Sequence, residues 1–423
     1  MKRNIMRITI LALGLFALLS CEQGPIFFTI SRETPPEKPR IAGAPTNMVL
    51  FERKYPDPEN ASNKITVPIL FVASGRIHWY ANDEWDKTPT SNGTSRWDMD
   101  FGSFGSIPQP GGRVIALAVA KDYLYALSFP GYGLEARLYR LSSTYDANSE
   151  KWERVESPYS QIQSIYADPE QDQVFAGVRT GSGDKDGYAI LYLDDSTPTK
   201  PELKRLMSDT ALLSGAASDG TNYYLSTRGK GIFQIAETSL GSTDPSGLSG
   251  SENRTFMGMI KLEDGTIVAV ERSGGAIFKV NGTPFEQMKY TVGDSGVETG
   301  RYATGALALW TNGSDKLLVA GIQGGLYNTT TSAYSHGYVE FVLDGTGIDR
   351  RRDPGAFLTA PDKEQYTSSI GTKPINHLFQ APSEIDPENK TFFASTQNAG
   401  LFSYRNRYNT YSGKWQWQWN AEN

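Results

Sequence analysis

Cysteine is all but missing from this chain of 423 residues, with Cys21 the only one. No internal disulfide can form, so stability must come from a packed interior. Histidine is nearly as scarce, at three residues, His78, His336 and His377. None stands with cysteine or carboxylates at a spacing such as H-E-x-x-H, so no metal site and no cofactor are expected. A cationic excess is also lacking: 41 basic and 47 acidic residues leave a net charge of -6. That balance removes the electrostatic footprint of nucleic-acid binding. Beyond the first twenty residues no run is long and apolar enough to cross a bilayer. Neither a Gly-x-Ser-x-Gly elbow nor a phosphate-cradling Gly-Lys-Ser/Thr loop occurs.

The first segment reads as an export signal. Lys2, Arg3 and Arg7 precede a short apolar core over residues 8–19. Its end, Leu18-Leu19-Ser20-Cys21, resembles the bacterial lipobox, in which a small residue precedes the cysteine that receives a diacylglyceryl group. Residues 1–20 are therefore expected to be a lipoprotein signal peptide and Cys21 the lipidation site. Each buried acyl methylene contributes about 0.8 kcal/mol, so diacylglyceryl plus an N-linked palmitate-type chain anchors stably without a helix. Residues 21–46, with Pro25, Pro35, Pro36, Pro39 and Pro45, read as a flexible tether. The expected address is the cell envelope, lipid-anchored to a membrane and facing the periplasm or carried by the outer membrane.

What the chain has in quantity is turn-formers and rings: 42 Gly, 23 Pro and 12% aromatics, a composition suited to short strands joined by tight turns. An aliphatic residue followed by a ring recurs as Ile77-His78, Leu138-Tyr139, Leu191-Tyr192, Ile232-Phe233, Ile277-Phe278, Leu326-Tyr327 and Leu401-Phe402. The spacings are 61, 53, 41, 45, 49 and 75 residues, the range of one propeller blade with loops of variable length. The expected fold is all-β, a seven-bladed β-propeller of four-stranded antiparallel blades over residues 47–423.

Blade by blade the expected strands are 47–52, 65–74, 76–81 and 96–101; then 114–120, 123–129, 136–141 and 151–156; then 161–167, 173–179, 188–193 and 202–207. The fourth blade gives 212–218, 223–227 and 231–236, with its outer strand somewhere within 238–252. The fifth gives 255–262, 266–271, 275–280 and 285–291, the sixth 305–310, 316–321, 325–328 and 338–343, and the seventh 375–380, 391–396, 400–404 and 414–419. Small and large residues alternate in Ala116-Leu117-Ala118 and Ala306-Leu307-Ala308, as inner strands converging on an axis require. Each blade owns four strands, so the ring is expected to close by packing of blade one on blade seven, with an N-terminal strand lent to the last blade as the rival arrangement. Trp415, Trp417 and Trp419 alternate with Gln416 and Gln418, which puts the indoles on one face, expected at that closing seam.

Site chemistry is thinner. Ser182-Gly183-Asp184-Lys185-Asp186-Gly187 has the alternate oxygens of a calcium loop, but Leu193 stands where its twelfth-position acid belongs, and a solvated hairpin tip explains the run. The Ser-x-Asp-x-Gly-x-x-Trp turn boxes of sialidases are absent, and Arg350-Arg351-Arg352 reads as a charge run in a loop over residues 344–373 that could reach a partner. Trp79, Trp85 and Trp310 join those arginines as the expected binding surface, and Trp97, Tyr302 and Tyr334 add rings near rim or axis.

Val268-Ala269-Val270 with Gly274-Gly275-Ala276-Ile277-Phe278, Leu318-Val319-Ala320-Gly321 with Gly324-Gly325-Leu326-Tyr327, and Phe393-Ala394-Ser395 with Ala399-Gly400-Leu401-Phe402 repeat one phrase. It resembles the ligand-binding propellers of bacterial sensors and of exported lipoproteins, especially the propeller lipoproteins of spirochaetes. The resemblance implies strands and turns over nearly the whole mature chain, a shape that serves many functions. The expected function is a monomeric, non-catalytic propeller lipoprotein that binds an envelope protein or organises an envelope assembly. The alternative is a glycan or small-ligand binder, an adhesin or solute sensor; a hydrolase or lyase in the channel ranks last.

Overall fold

The computed structural model describes residues 41, 44–57, 60, 62–81, 84–85, 107–120, 122–131, 135–146, 150–168, 172–181, 187–196, 200–289, 291–292, 302–312, 315–323, 327–328, 333–334, 337–345, 347–352, 370, 373–381, 391–409 and 414–422. The chain divides into Met1–Lys38 and Pro39–Asn423, and the second unit is the body described below. Cys21, the signal segment, Trp97, His336, the 182–186 run and the strand expected at 96–101 lie outside the described residues.

Blade one is β1 (Asn47–Pro56), β2 (Lys64–Ala73), β3 (Ile77–Ala81) and β4 (Glu84–Trp85); blade two is β5 (Arg113–Ala120), β6 (Tyr123–Phe129), β7 (Arg137–Ser142) and β8 (Glu153–Val155). Blade three is β9 (Ile162–Asp168), β10 (Gln173–Arg179), β11 (Tyr188–Asp194) and β12 (Glu202–Thr210); blade four is β13 (Leu213–Ser218), β14 (Asn222–Thr227), β15 (Ile232–Ala236) and β16 (Ser246–Gly247). Blade five is β17 (Phe256–Lys261), β18 (Ile267–Glu271), β19 (Ile277–Lys279) and β20 (Glu286–Gln287). In blade six β22 (Ala303–Asn312), β23 (Asp315–Ile322), β26 (Tyr338–Asp344) and β27 (Gly347–Arg352) run in order, and β21 (Thr291–Val292) adds a fifth strand parallel to β27. A separate hairpin pairs β24 (Tyr327–Asn328) with β25 (Ala333–Tyr334). Blade seven is β28 (Ile375–Ala381), β29 (Thr391–Thr396), β30 (Gly400–Asn409) and β31 (Lys414–Ala421).

The innermost strands β1, β5, β9, β13, β17, β22 and β28 each contact the next, and β28 returns to β1. The body is a closed seven-bladed β-propeller. Second strands such as β10, β14 and β29 are buried on both faces, so they carry near-continuous apolar or small residues such as Val174-Phe175-Ala176-Gly177-Val178. Seven apolar clusters fill the seven seams between neighbouring blades. Each buried Ile or Phe contributes about 1.5–3 kcal/mol, so the seams supply most of the driving force.

Among the described residues the ring closes without an exchanged strand. Met48, Leu70, Val72 and Tyr80 of blade one meet Ala381, Phe393 and Leu401 of blade seven, with the Tyr80 and Phe393 rings edge to face at 5.3 Å. Ile41, within the stretch expected to be tether, is buried in this seam.

Several expectations are corrected. Tyr80 pairs with Trp85, so the outer strand of blade one is β4. In blade five the outer strand stops at Gln287, and Thr291–Val292 passes to blade six. In blade six the third strand is β26, not 325–328, because β26 pairs with β23 over five residues and buries Val339 and Phe341, whereas Tyr327 and Asn328 pair in the small hairpin. Of the tryptophan face, Trp417 stacks on Tyr404 and stays exposed, while Trp419 packs at the seam between blades six and seven. Trp419 is buried there against Trp310, Tyr338, Phe392 and Tyr404, and its Nε1 donates to the Tyr338 hydroxyl at 2.9 Å.

Candidate ligand site at the propeller axis

The inner strands do not pair evenly with their neighbours. In each of blades two to seven a bulge interrupts the ladder near the start of the inner strand. One residue is left without a partner on the second strand in five of these blades, Ile115, Gln163, Ser214, Met257 and Asn376, and three in blade six, 304–306. A bulge bends the strand and re-aims a side chain. Here all of these positions except Ala306 line a single axial cavity of about 740 Å³, within the range of small-molecule sites.

Close approach of the inner strands keeps the axis narrow. A Cβ on Gly258 would meet the Gly305 carbonyl oxygen, and one on Gly305, whose φ is +97°, would meet the Met257 carbonyl oxygen. Both positions require glycine.

Side chains on these strands also tie the blades together. Asn47 Nδ2 donates to the Leu117 carbonyl at 2.6 Å while its Oδ1 accepts the Leu117 N–H at 2.9 Å, so one amide clamps blade one to blade two. Ser164 Oγ donates to the Leu213 carbonyl at 2.9 Å between blades three and four. At the closing seam Asn376 Nδ2 donates to the Pro45 carbonyl at 3.2 Å and the Met48 N–H donates to His377 Nδ1 at 3.3 Å. Replacing Asn47 with alanine leaves both polar groups of Leu117 unpaired and should cost about 1–2 kcal/mol in a urea titration.

The cavity has a definite electrostatic character. Among the described lining residues Arg228 is the one charged side chain, and no aspartate or glutamate reaches the wall. Arg228 follows β14, and no hydrogen bond or ion pair occupies its guanidinium among the described residues. Tyr166 lies within its field: burial pushes the phenol pKa up and the Arg228 charge draws it partly back. Burial holds His377 down to about 4, so its ring is neutral and serves as an acceptor at neutral pH. The wall thus offers a guanidinium, hydroxyls and amides around apolar patches, a set suited to holding a polar molecule.

The residues singled out in the sequence do not form this site. Trp310 is buried, stacked on Phe392 at 4.4 Å, so it belongs to the six–seven seam and not to a surface. Trp79 packs partly buried against the seam of blades one and two, and Trp85 stands in β4. Arg350, Arg351 and Arg352 are outer-strand residues of β27 opposite Val342, Phe341 and Glu340, not part of an irregular loop. Tyr302 is 45% exposed at the start of β22, and Tyr334 lies in β25. His78 is buried in blade one, and among the described residues no His, Cys, Asp and Glu group could hold a metal ion. The bulges that build the cavity leave only a faint trace in the sequence, the glycines Gly177, Gly215, Gly258 and Gly305 at or beside them.

No family model and no curated protein matches this chain. Among solved structures, the extracellular domain of the hybrid two component system BT3049 from B. thetaiotaomicron is similar at 12% identity and TM-score 0.46, over 85% of this chain and 39% of that one. This chain therefore spans well under half the length of that protein. The WD40 beta propeller domain of Doa1 is similar at 11% identity and TM-score 0.47, over 88% of this chain and 95% of that one. YCF48 from Cyanidioschyzon merolae is similar at 15% identity and TM-score 0.46, over 86% and 96% of the two chains. These likenesses concern the fold alone.

Proposed function

We propose that this chain is a non-catalytic binding propeller, tethered to a membrane of the cell envelope through lipid on Cys21, and acting as a scaffold that engages an envelope partner from the face on which its axial cavity opens. The observation that supports binding over catalysis is the cavity wall: all seven inner strands contribute to it, yet the described residues supply no carboxylate. The carboxylate pair on which glycoside hydrolysis usually runs has no member among the described lining residues. The kinship with bacterial propeller lipoproteins, spirochaetal ones included, is part of the same reading and draws on the repeated phrase and the lipobox-like Leu18-Leu19-Ser20-Cys21.

Two measurements test it. Replacing Cys21 with alanine should move the chain from the membrane fraction to the soluble fraction and abolish incorporation of radiolabelled palmitate. Retention on the membrane without label would overturn the tether. Crosslinking of the anchored chain in cells should recover the same envelope protein reproducibly, and its absence across crosslinker lengths would overturn the scaffold role.

A further inference from the structure

Three arginines occupy one and the same position in three consecutive blades. Arg179, Arg228 and Arg272 each follow or end a second strand, and each donates its backbone N–H to the residue just before or at the edge of the inner strand: Gln161, Leu212 and Thr255, at 3.0, 2.9 and 2.8 Å. Blades six and seven put Gln323 and Gln397 in the equivalent place, bonded to the carbonyls of Tyr302 and Pro374 at 2.7 and 3.0 Å. The turns after second strands and the starts of inner strands share one end of the wheel, since every blade runs up and down in order. The arginines therefore form an arc over blades three to five at the end where the bulges open the cavity.

Charge is divided between the two ends. The turns joining first to second strands, at the far end, carry Asp57, Asp122, Asp172, Asp219, Glu263 and Asp264, of which Asp122 and Glu263 are paired with Lys54 and Lys316. At the near end Glu271 is already engaged by Arg254 at 3.1 Å. Arg272 lies over the exposed Tyr302 ring at 5.7 Å, and Arg228 stands in the cavity wall beside Tyr166 without a carboxylate partner among the described residues. An anion reaching the near end is thus met by a guanidinium.

We infer that the axial cavity is a receptor site for a small organic anion, a molecule of sugar or amino-acid size bearing a carboxylate or a phosphate, with Arg228 as its principal charge partner. The planar guanidinium donates two parallel N–H bonds to either group. Tyr166 and the Gln163 and Asn376 amides at the bulges suit the neutral hydroxyls or amides of the remainder. Arg272 draws the anion in from the rim. The inference rests on the binding reading above but not on the lipid anchor or on any protein partner.

The test uses the full chain purified in detergent, titrated calorimetrically with galacturonate, inorganic phosphate and neutral galactose, with thermal melts in parallel. Galacturonate or phosphate should bind and raise the melting temperature in a concentration-dependent way, while galactose does neither; which anion binds separates a carboxylate site from a phosphate site. Arg228→Gln should weaken binding tenfold or more, Arg272→Gln by a smaller factor with a shallower loss in salt, and both variants should melt like the parent without ligand. Failure of both anions to bind, or equal binding by Arg228→Gln, would overturn the site. Capture of an envelope partner by a chain that binds neither anion would sink this inference and leave the scaffold role standing.

Discussion

Replacing Glu150 with alanine should lower the unfolding free energy by about 3–5 kcal/mol, the range seen when one member of a buried ion pair is removed. Arg53 is 0% exposed, on the inward face of β1, and its Nη2 lies 2.7 Å from Glu150 Oε1 across the seam between blades one and two. Among the described residues that carboxylate is the counter-charge, and the guanidinium nitrogens have no well-aligned hydrogen bond to share the load. The surroundings are dry and aromatic: Tyr55 lies 5.5 Å from the guanidinium and stacks near Tyr145 at 5.4 Å, and burial pushes the Tyr55 hydroxyl up to about 12. A lone cation stranded there loses its hydration and gains nothing in return. The contrast that isolates the cause is the double variant Arg53→Met with Glu150→Leu, which removes both charges and should be near the parent or more stable. Urea titration of the three proteins decides the matter. A Glu150→Ala loss under about 1 kcal/mol would mean that the pair is not carrying the charge of Arg53.

The same strand shows where the sequence could and could not be read. Glu52-Arg53-Lys54 looks like the charged end of a strand, and the expected boundary fell at residue 52. The strand runs on to Pro56 because Phe51, Arg53 and Tyr55 alternate inward and pair with Ile69, Val67 and Ile65. A buried arginine defeats a reading based on polarity, since its cost is met by a residue nearly a hundred positions away. Second strands were legible because burial on both faces demands an unbroken apolar run. In blade six Gly324-Gly325-Leu326-Tyr327 copies the local phrase of a third strand, while the real one, Tyr338-Val339-Glu340-Phe341, hides a glutamate among its apolar residues.

The tryptophan alternation fixed one shared face but not which neighbour that face meets. A step of one residue flips a strand's faces, so Phe392 and Ala394 pack toward blade six while Phe393 packs toward blade one. Of the axial site, the sequence carries beside the bulge glycines only an arginine followed by glycine one or two residues on, at Arg179-Thr180-Gly181, Arg228-Gly229 and Arg272-Ser273-Gly274. Each arginine alone is an ordinary surface residue. Only the registers of β10, β14 and β18 place them in one arc.

The propeller should also lose stability as pH falls from about 6.5 to about 4, and a single imidazole in the closing seam should account for a resolvable part of the loss. His377 Nδ1 accepts the Met48 N–H at 3.3 Å, which only the unprotonated nitrogen can do. Burial lowers its folded pKa to about 4, against 6.5 for the free side chain. Above about 6.5 both folded and unfolded forms are neutral, and the group adds no pH dependence. Between 6.5 and 4 the unfolded chain takes up a proton that the folded one refuses, so unfolding becomes steadily easier as acid is added. Below about 4 both forms are protonated and the penalty levels off, at no more than about 3 kcal/mol, since the ring opens partly on the cavity and water reaches it. Asp194 loses its stabilising contact with Lys204 in a separate window, because its folded pKa is held near 2 by hydrogen bonds from Lys204 and Ser196. His377→Gln keeps an acceptor for Met48 but removes the titration, so urea midpoints of this variant should fall less than those of the parent between pH 7 and pH 4. Equal slopes in the two proteins would show that the imidazole is not what ties the closing seam to pH.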